Sequence, residues 1–366
     1  MWRALFIASV ALAGLVAWDA RLSSSAGEAR MESSRVEAFF PADLLTSMRI
    51  SGISIGTSRG THFYARTDGL WRCFTAHGAP AEEAAISDLV ERLTTAEGVV
   101  HSRDADRARL YGLNPEQMVT IALHGAGMLK QEDRDVIHSV DVGLSMPQTH
   151  GCYARTSGSD EVWAIDKDLR ELASPPGLGS LPPLLEKSVT PAAWVRSAGD
   201  LTHIALTHTD TFRESYDLSR REVERTEEET SLGYPPWDWT LTRGAKSDVC
   251  EPLRIWSYLR FFAFIPYRGV LDPAEFRAEG ARPPRARLQL RGMTGAPIEL
   301  SVYSRHPAGG YPVHNSYTDV FYLISQEIYD LLVPEPDQVI RLQGGQNPWE
   351  PWLLRDMPGQ APAMPR

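Results

Sequence analysis

The stretch THGCYARTSGSDEVWAID, residues 149–166, places His150 two residues before Cys152. A thiol with an imidazole beside it is the pair that nucleophilic catalysis uses, provided a third group orients the base. No residue of the chain can be assigned that third role. The competing reading is local: a strand edge leading into a hairpin whose turn is Ser157-Gly158. The remaining cysteines, Cys73 and Cys250, form no CxxC pair, and their spacing fits no zinc motif. His203 and His208 lie five apart on an expected strand and so point to opposite faces. His306 and His314 flank the loop RHPAGGYPVH with Asp319 beyond it, where a metal site competes with a solvated hairpin loop. GMTGAP and AGG are turn glycines, since neither follows a strand and opens a helix as phosphate loops do. On this reading no residue is assigned as catalytic, cofactor-binding or metal-ligating, no cofactor is expected, and the chain is not an enzyme.

What must position such residues is a chain of 366 residues, 43% hydrophobic and 23% charged, with a net charge of −10. That is globular composition, long enough for about two domains. An acidic chain without a Lys/Arg run lacks the basic footprint of nucleic-acid binding, so no nucleic-acid partner is expected. Residues 4–18, ALFIASVALAGLVAW, form an uninterrupted apolar run after Arg3, bracketed by Trp2 and Trp18. The run is short for a spanning helix, but small residues suited to cleavage sit far from it. An uncleaved anchor at 1–22 is therefore favoured over a removed signal, with the tryptophans as interfacial anchors. Residues 23–48, which include SSSAGEARMESSR, read as a linker.

The body reads as a duplication. In the first copy, ISGISIG and THFYARTDGLWRCF alternate as strands, with a tight turn at Asp68-Gly69. APAEEAAISDLVERLTTAEGVV carries Ala85, Ile86, Leu89, Val90 and Leu93 at helical spacing, with Pro80 in the first turn. VTIALHG, VDVGLS and the hairpin CYARTSGSDEVWAID follow as strands, and KDLRELA closes as a helical turn. The second copy repeats this order. Trp71 aligns with Trp239, and Ile86, Leu89 and Leu93 align with Ile255, Tyr258 and Phe262. Tyr153 aligns with Tyr311 and Trp163 with Phe321, which sets His150 and Cys152 against Ala308 and Gly310. The expected fold is α+β: two tandem repeated units, each a mainly antiparallel sheet covered by one helix, after a single N-terminal transmembrane anchor. The units are 49–190 and 191–335, the second carrying a charged insertion at 219–236, and 336–366 is a Pro-rich, extended tail. The aromatic helix IWSYLRFFAFIPY, residues 255–267, reads as buried under its sheet. Trp349 and Trp352 in WEPW resemble a short docking peptide more than a core element, and the competing reading is a C-terminal segment folded back on its own domain.

The order of these features resembles the family called domain of unknown function 4340. The resemblance rests on Trp71, APAEEAAISDLVERL, Tyr111-Gly112-Leu113-Asn114-Pro115, Tyr153-Ala154-Arg155 and Val162-Trp163-Ala164-Ile165. It covers residues 49–190 well and the second unit loosely, where EGARPP replaces Tyr-Gly-Leu. It implies a membrane-anchored envelope protein, often encoded beside ABC-type exporter components of the gliding-motility kind, and it implies no catalytic residues. The function expected is a non-enzymatic accessory or scaffold protein of the envelope. Its partners would be the inner membrane, through the N-terminal helix, and a protein of a membrane complex, with the body on the periplasmic side. The other reading is a ligand-binding module holding a small molecule, peptide or metal between the two units.

Overall fold

The computed structural model describes residues 36–40, 50–125, 136–146, 149–175, 181–191, 198–209, 213–231, 236–278, 283–292, 296–340 and 347–349. These form two antiparallel sheets with few helices, an α+β fold. The first sheet uses β1 (Glu37–Ala38), β2 (Gly52–Thr57), β3 (Gly60–Thr67), β4 (Leu70–Cys73), β5 (Ala79–Pro80), β6 (Glu97–Ser102), β7 (Val119–His124), β8 (Val136–Met146), β9 (Gly151–Thr156) and β10 (Val162–Ile165). Helix α1 (Glu83–Thr94) precedes β6, and α2 (Leu169–Ala173) follows β10. The second sheet uses β11 (Leu201–His208), β12 (Tyr216–Glu222), β13 (Trp237–Arg243), β14 (Lys246–Val249), β15 (Gly269–Leu271), β16 (Ala286–Gly292), β17 (Ile298–Val302), β18 (Tyr311–Asn315) and β19 (Val320–Ile324). Helices α3 (Glu227–Ser231), α4 (Pro252–Ala263), α5 (Pro273–Ala278), α6 (Gln326–Leu332) and α7 (Pro336–Ile340) accompany it.

The strand orders are β1-β6-β10-β9-β8-β7-β2-β3-β4-β5 and β14-β13-β12-β11-β16-β17-β18-β19-β15. Apart from β1, one order is the other read from its opposite edge. The correspondence reaches single residues. Ile53 and Ile55 face Leu123 and Ile121 across β2–β7; Ile204 and Leu206 face Leu290 and Leu288 across β11–β16. All eight side chains are buried. Trp71 lies opposite Arg66 and Trp239 opposite Arg220, and each tryptophan carbonyl accepts a hydrogen bond from the strand leading to the helix, from Ala81 N and Cys250 N, both at 2.9 Å. The buried stripe Ile86, Leu89, Leu93 of α1 matches Ile255, Tyr258 and Phe262 of α4.

Packing divides the chain into one compact unit of residues 1–63 with 83–179 and another of 64–82 with 180–366. Residues 64–82, read from the sequence as part of the first unit, thus pack with the second. In the first unit, α1 packs on α2, and α2 in turn on β7, β8 and β9. In the second, α4 touches β13, α7 and the turn Ala198–Asp200.

Several local expectations change. Residues 97–100, taken from the sequence as the end of a helix, belong to β6: the helix stops at Thr94, and Val99 and Val100 are β-branched residues suited to a pleat. Pro80 is a buried residue of β5, ahead of α1, and the first helical turn opens with Glu83. Within the expected linker, Phe39 and Phe40 are buried, with Phe39 edge-on to Trp163 and Phe40 edge-on to His138. The charged insertion 219–236 extends the β12–β13 hairpin, as expected of an extended hairpin or loop, and adds the short helix α3. Residues 336–340 are helical, Pro336 taking the first helical position, where its missing N–H costs nothing. Among the described residues no helix is long and apolar enough to cross a membrane. The anchor expected at 1–22 lies outside the described residues.

The last hairpin carries the sharpest correction. Pairing Tyr153 with Tyr311 slips the register by one residue. Cys152 faces Ile165, and Tyr311 faces Ile324. Gly151 and Gly310 precede them, and a Cβ on either would run into the carbonyl oxygen of that same isoleucine, Ile165 or Ile324. The true counterparts are therefore Gly151 and Gly310, Cys152 and Tyr311, Trp163 and Tyr322. In a strand a slip of one residue moves a side chain to the other face: Cys152 is buried, while Tyr153 is only half-buried. Gly151→Ala should cost about 2–4 kcal/mol, because the obstacle is backbone that cannot swing aside. Gly158→Ala, at φ 85° but with open space around it, should cost about 1 kcal/mol. Urea denaturation of both variants checks the ranking; equal losses would contradict the clamp.

Candidate functional site

Among the residues that carry the family resemblance, Tyr111, Leu113, Tyr153 and Val162 meet at one place on the first sheet. A 3-10 turn, Ala105–Tyr111, opens with the Asp104 side chain accepting from Asp106 N and ends at Gly112, whose φ of 73° is the left-handed conformation glycine adopts without strain. The Leu144 side chain lies directly over Gly112, and the backbone of Gly143 comes so close to the Tyr111 carbonyl oxygen that no larger residue fits. Gly143 sits where the β8–β9 register shifts, between Val142 and Ser145, so the bulge makes room for the turn. Arg170 of α2 donates to the Gly143 carbonyl at 2.9 Å. Leu113 is buried with Ala108 and Val162, and Tyr111 and Tyr153 pack against them. The rings of Tyr111, Tyr153 and His101 stand 4.8–5.3 Å apart, and Leu110 beside them is exposed. Asn114 accepts from Gln117 N at 3.0 Å and turns the chain toward β7.

Arg155, the arginine of the hairpin motif, donates from Nε to Asp141 at 3.0 Å. Asp141 is buried and also accepts from the Thr120 hydroxyl at 3.0 Å and the Ser157 hydroxyl at 2.9 Å. The Ser139 and Ser157 hydroxyls are bonded at 2.9 Å. With three donors on its two oxygens, this carboxylate is a satisfied structural anion. At the equivalent places the second sheet has Ser301, which donates to Glu299, and His314, which pairs with Asp319 at 2.9 Å. The cluster therefore belongs to the first sheet alone. Asp141 was missed in the sequence, though an Asp inside the apolar run VDVGLS, followed by Tyr-Ala-Arg on the next strand, was a usable signal.

The other chemically suggestive residues are not brought together. His150 is exposed with φ 55°. The Cys152 thiol is buried and donates to the Lys167 carbonyl at 3.3 Å; burial pushes its pKa up to about 12. Cys250 is also pushed up to about 12 by burial, Cys73 is raised for the same reason, and all three are free thiols. These are protonated packing groups at neutral pH. His203 and His208 sit half-buried on β11, with His203 Nε2 3.4 Å from Asp217. His306 Nδ1 accepts from Ala308 N within its own loop, while His314 pairs with Asp319. Among the described residues no group of three or more His, Cys, Asp or Glu is placed to hold a metal ion.

Of the two readings of this segment, docking peptide or C-terminal segment folded back on its own domain, Trp349 takes the second. It is fully buried, its ring 4.9 Å from Tyr258 and its Nε1 donating to the Leu331 carbonyl at 3.2 Å. Asn347 beside it donates to Ser257 Oγ at 2.9 Å, and Arg254 donates to the Gln338 carbonyl at 3.0 Å. Trp352 lies outside the described residues. The segment thus folds back over α4, which explains why that helix carries so many aromatics: Tyr258, Phe261 and Phe262 are all buried.

Three outcomes check this picture. Trp349→Ala should destabilise the second unit by about 3–5 kcal/mol, read by thermal or urea unfolding; a loss no larger than a surface change would contradict its burial. A buried neutral thiol contributes stability below its unfolded pKa and loses it as pH rises. The contribution of Cys152 and Cys250 should therefore hold below about pH 9 and decline toward pH 12. In the native chain at pH 7.5 all three thiols should resist an aromatic disulfide reagent and react at once in denaturant.

The model of the family Domain of unknown function (DUF4340) matches residues 71–238. The match opens at Trp71 and stops one residue before its counterpart Trp239, so it spans one full period of the repeated fold. No curated protein and no solved structure matches the chain. Over residues 71–238, a little under half of its length, the chain is similar to the DUF4340 family.

Proposed function

We propose that the chain is a non-enzymatic accessory or scaffold protein of the cell envelope, associated with an ABC-type transporter complex. Residues 1–22 anchor it in the inner membrane with the body on the periplasmic side, and the body is an internal duplication of one α+β unit. The observation that carries this reading is the use made of the motif residues. Tyr111, Gly112 and Leu113 clamp a turn over the β8 bulge, and Arg155 neutralises Asp141, so the groups available for chemistry are taken up in holding a shape. Scaffold proteins need a rigid, reproducible surface more than a reactive group. The exposed side of the cluster, Leu110 with the half-buried Tyr111 and Tyr153, offers the apolar and aromatic character that protein contacts favour. The apolar run at 4–18 supports the anchor.

Fractionation of cells producing the full chain, and the chain without residues 1–22, tests the placement. The full chain should stay in the membrane pellet after an alkaline carbonate wash, become protease-accessible once the outer envelope is opened, and co-purify from detergent with transporter subunits. The shortened chain should be soluble. A full-length chain found in the soluble fraction, or one protected from protease in cells with an opened envelope, would overturn the reading.

A further inference from the structure

Duplication supplies an internal control for the sheet edges. In the first sheet the edge at β5 is closed. Pro80 offers no N–H, its carbonyl accepts from Glu186 N at 3.0 Å, Glu82 N donates to the Leu184 carbonyl at 2.8 Å, and Ala81 bridges Leu185. Residues 184–186 thus run along β5 as a cover. The counterpart edge of the second sheet is β14, and among the described residues no strand lies on its far side. Lys246, Ser247 and Val249 are exposed there, Val249 at 65%.

A bare edge strand is a template for another strand, and a lone lysine on it normally discourages pairing. Here the lysine comes with its own complement. Lys246 and Asp248 share a face, with Nζ 3.4 Å from Oδ2. When Lys-Ser-Asp is laid antiparallel on a copy of itself about Ser247, each Lys246 falls opposite the other chain's Asp248. Opposite charges in directly facing positions stabilise an antiparallel pair, and like charges destabilise it. Val249 would then face Ala245 of the other copy, covering an exposed apolar side chain. This arrangement is isologous, as a two-fold dimer requires.

We propose that β14 pairs antiparallel with β14 of a second copy, about a two-fold axis at Ser247, joining two second sheets into one continuous sheet. The self-complementary charges single out a second copy, because a foreign strand has no need of a Lys-x-Asp palindrome.

The test uses the full chain in detergent micelles. Ser247→Cys should give a disulfide-linked dimer under mild oxidation, with little background from the three buried native thiols. Ser58→Cys, exposed in the β2–β3 turn, should not. By sedimentation equilibrium, Lys246→Glu and Asp248→Lys should each weaken self-association about 10-fold, two like-charge pairs replacing two opposite ones. An equimolar mixture of the two variants should regain it, since each facing pair between unlike chains again joins a carboxylate to an ammonium. If Asp248→Lys fails to fold, Lys246→Glu and the Ser247→Cys cross-link still decide. The proposal is overturned if Ser247→Cys cross-links no better than Ser58→Cys, or if the chain is monomeric at all concentrations. Either result would mean that the edge is covered by the chain's own C-terminal residues or by a different protein.

Discussion

Each sheet depends on one non-local pairing. The first strand of each repeat, β2 or β11, does not end beside its own hairpin partner alone; it also pairs with a strand that arrives only after the helix, β7 or β16. Closing so long a segment costs chain entropy before any contact rewards it. What offsets the cost is a double row of fully buried aliphatic side chains, Ile53 and Ile55 on Ile121 and Leu123, Ile204 and Leu206 on Leu288 and Leu290. Burial at about 25 cal/mol per Å² of apolar area makes such a row the strongest cohesive element in a sheet. Without it, each sheet would fall into a short hairpin arm and a separate meander, and small hairpins are marginal alone. The bulge at Gly143, the 3-10 turn resting on it and the Asp141 cluster all stand on β7, β8 and β9, so the pairing positions them as well.

The same frame is finished differently in its two copies. At the core-facing place in the last hairpin, one copy has the small thiol of Cys152. The other has Tyr311, which stacks on Tyr329 at 4.2 Å. One copy keeps a buried carboxylate with three donors, where the other has a serine. The helix α1 shows polar, exposed residues on its outer side, whereas α4 is enclosed by Trp349 and the segment around it. A family match that covers one period, from Trp71 to the residue before its counterpart Trp239, fits this organisation.

Much of this frame was legible in the chain. Helical spacing in residues 85–93 and the Asp68-Gly69 turn, where φ is 53° and 81°, follow from local chemistry that nothing overrides. The order of elements followed from the repeat, and so did the match of Trp71 with Trp239. The misreadings have physical causes. Tyr153 and Tyr311 share an identity, and identity misled because the strand frame is held by Gly151 and Gly310, where absence of a side chain is the requirement. The strand at 97–102 hid behind a helix that ends without a strong stop signal. For Trp349 the docking and folded-back readings both stayed open, because it sits among prolines, which report backbone stiffness and say nothing of burial. The Asp141 cluster required knowing that Thr120, Arg155 and Ser157 lie on adjacent strands, and that knowledge comes from register.

Native-state hydrogen exchange, read residue by residue, tests the central claim most directly. The slowest amides of the chain should fall in two equivalent sets, on β2–β7 and on β11–β16, each opening only with the global unfolding of its own unit. If one of these pairs exchanges as fast as the edge strands, or if the slow core lies elsewhere in one copy, the two sheets are not built on the same pairing and the account fails.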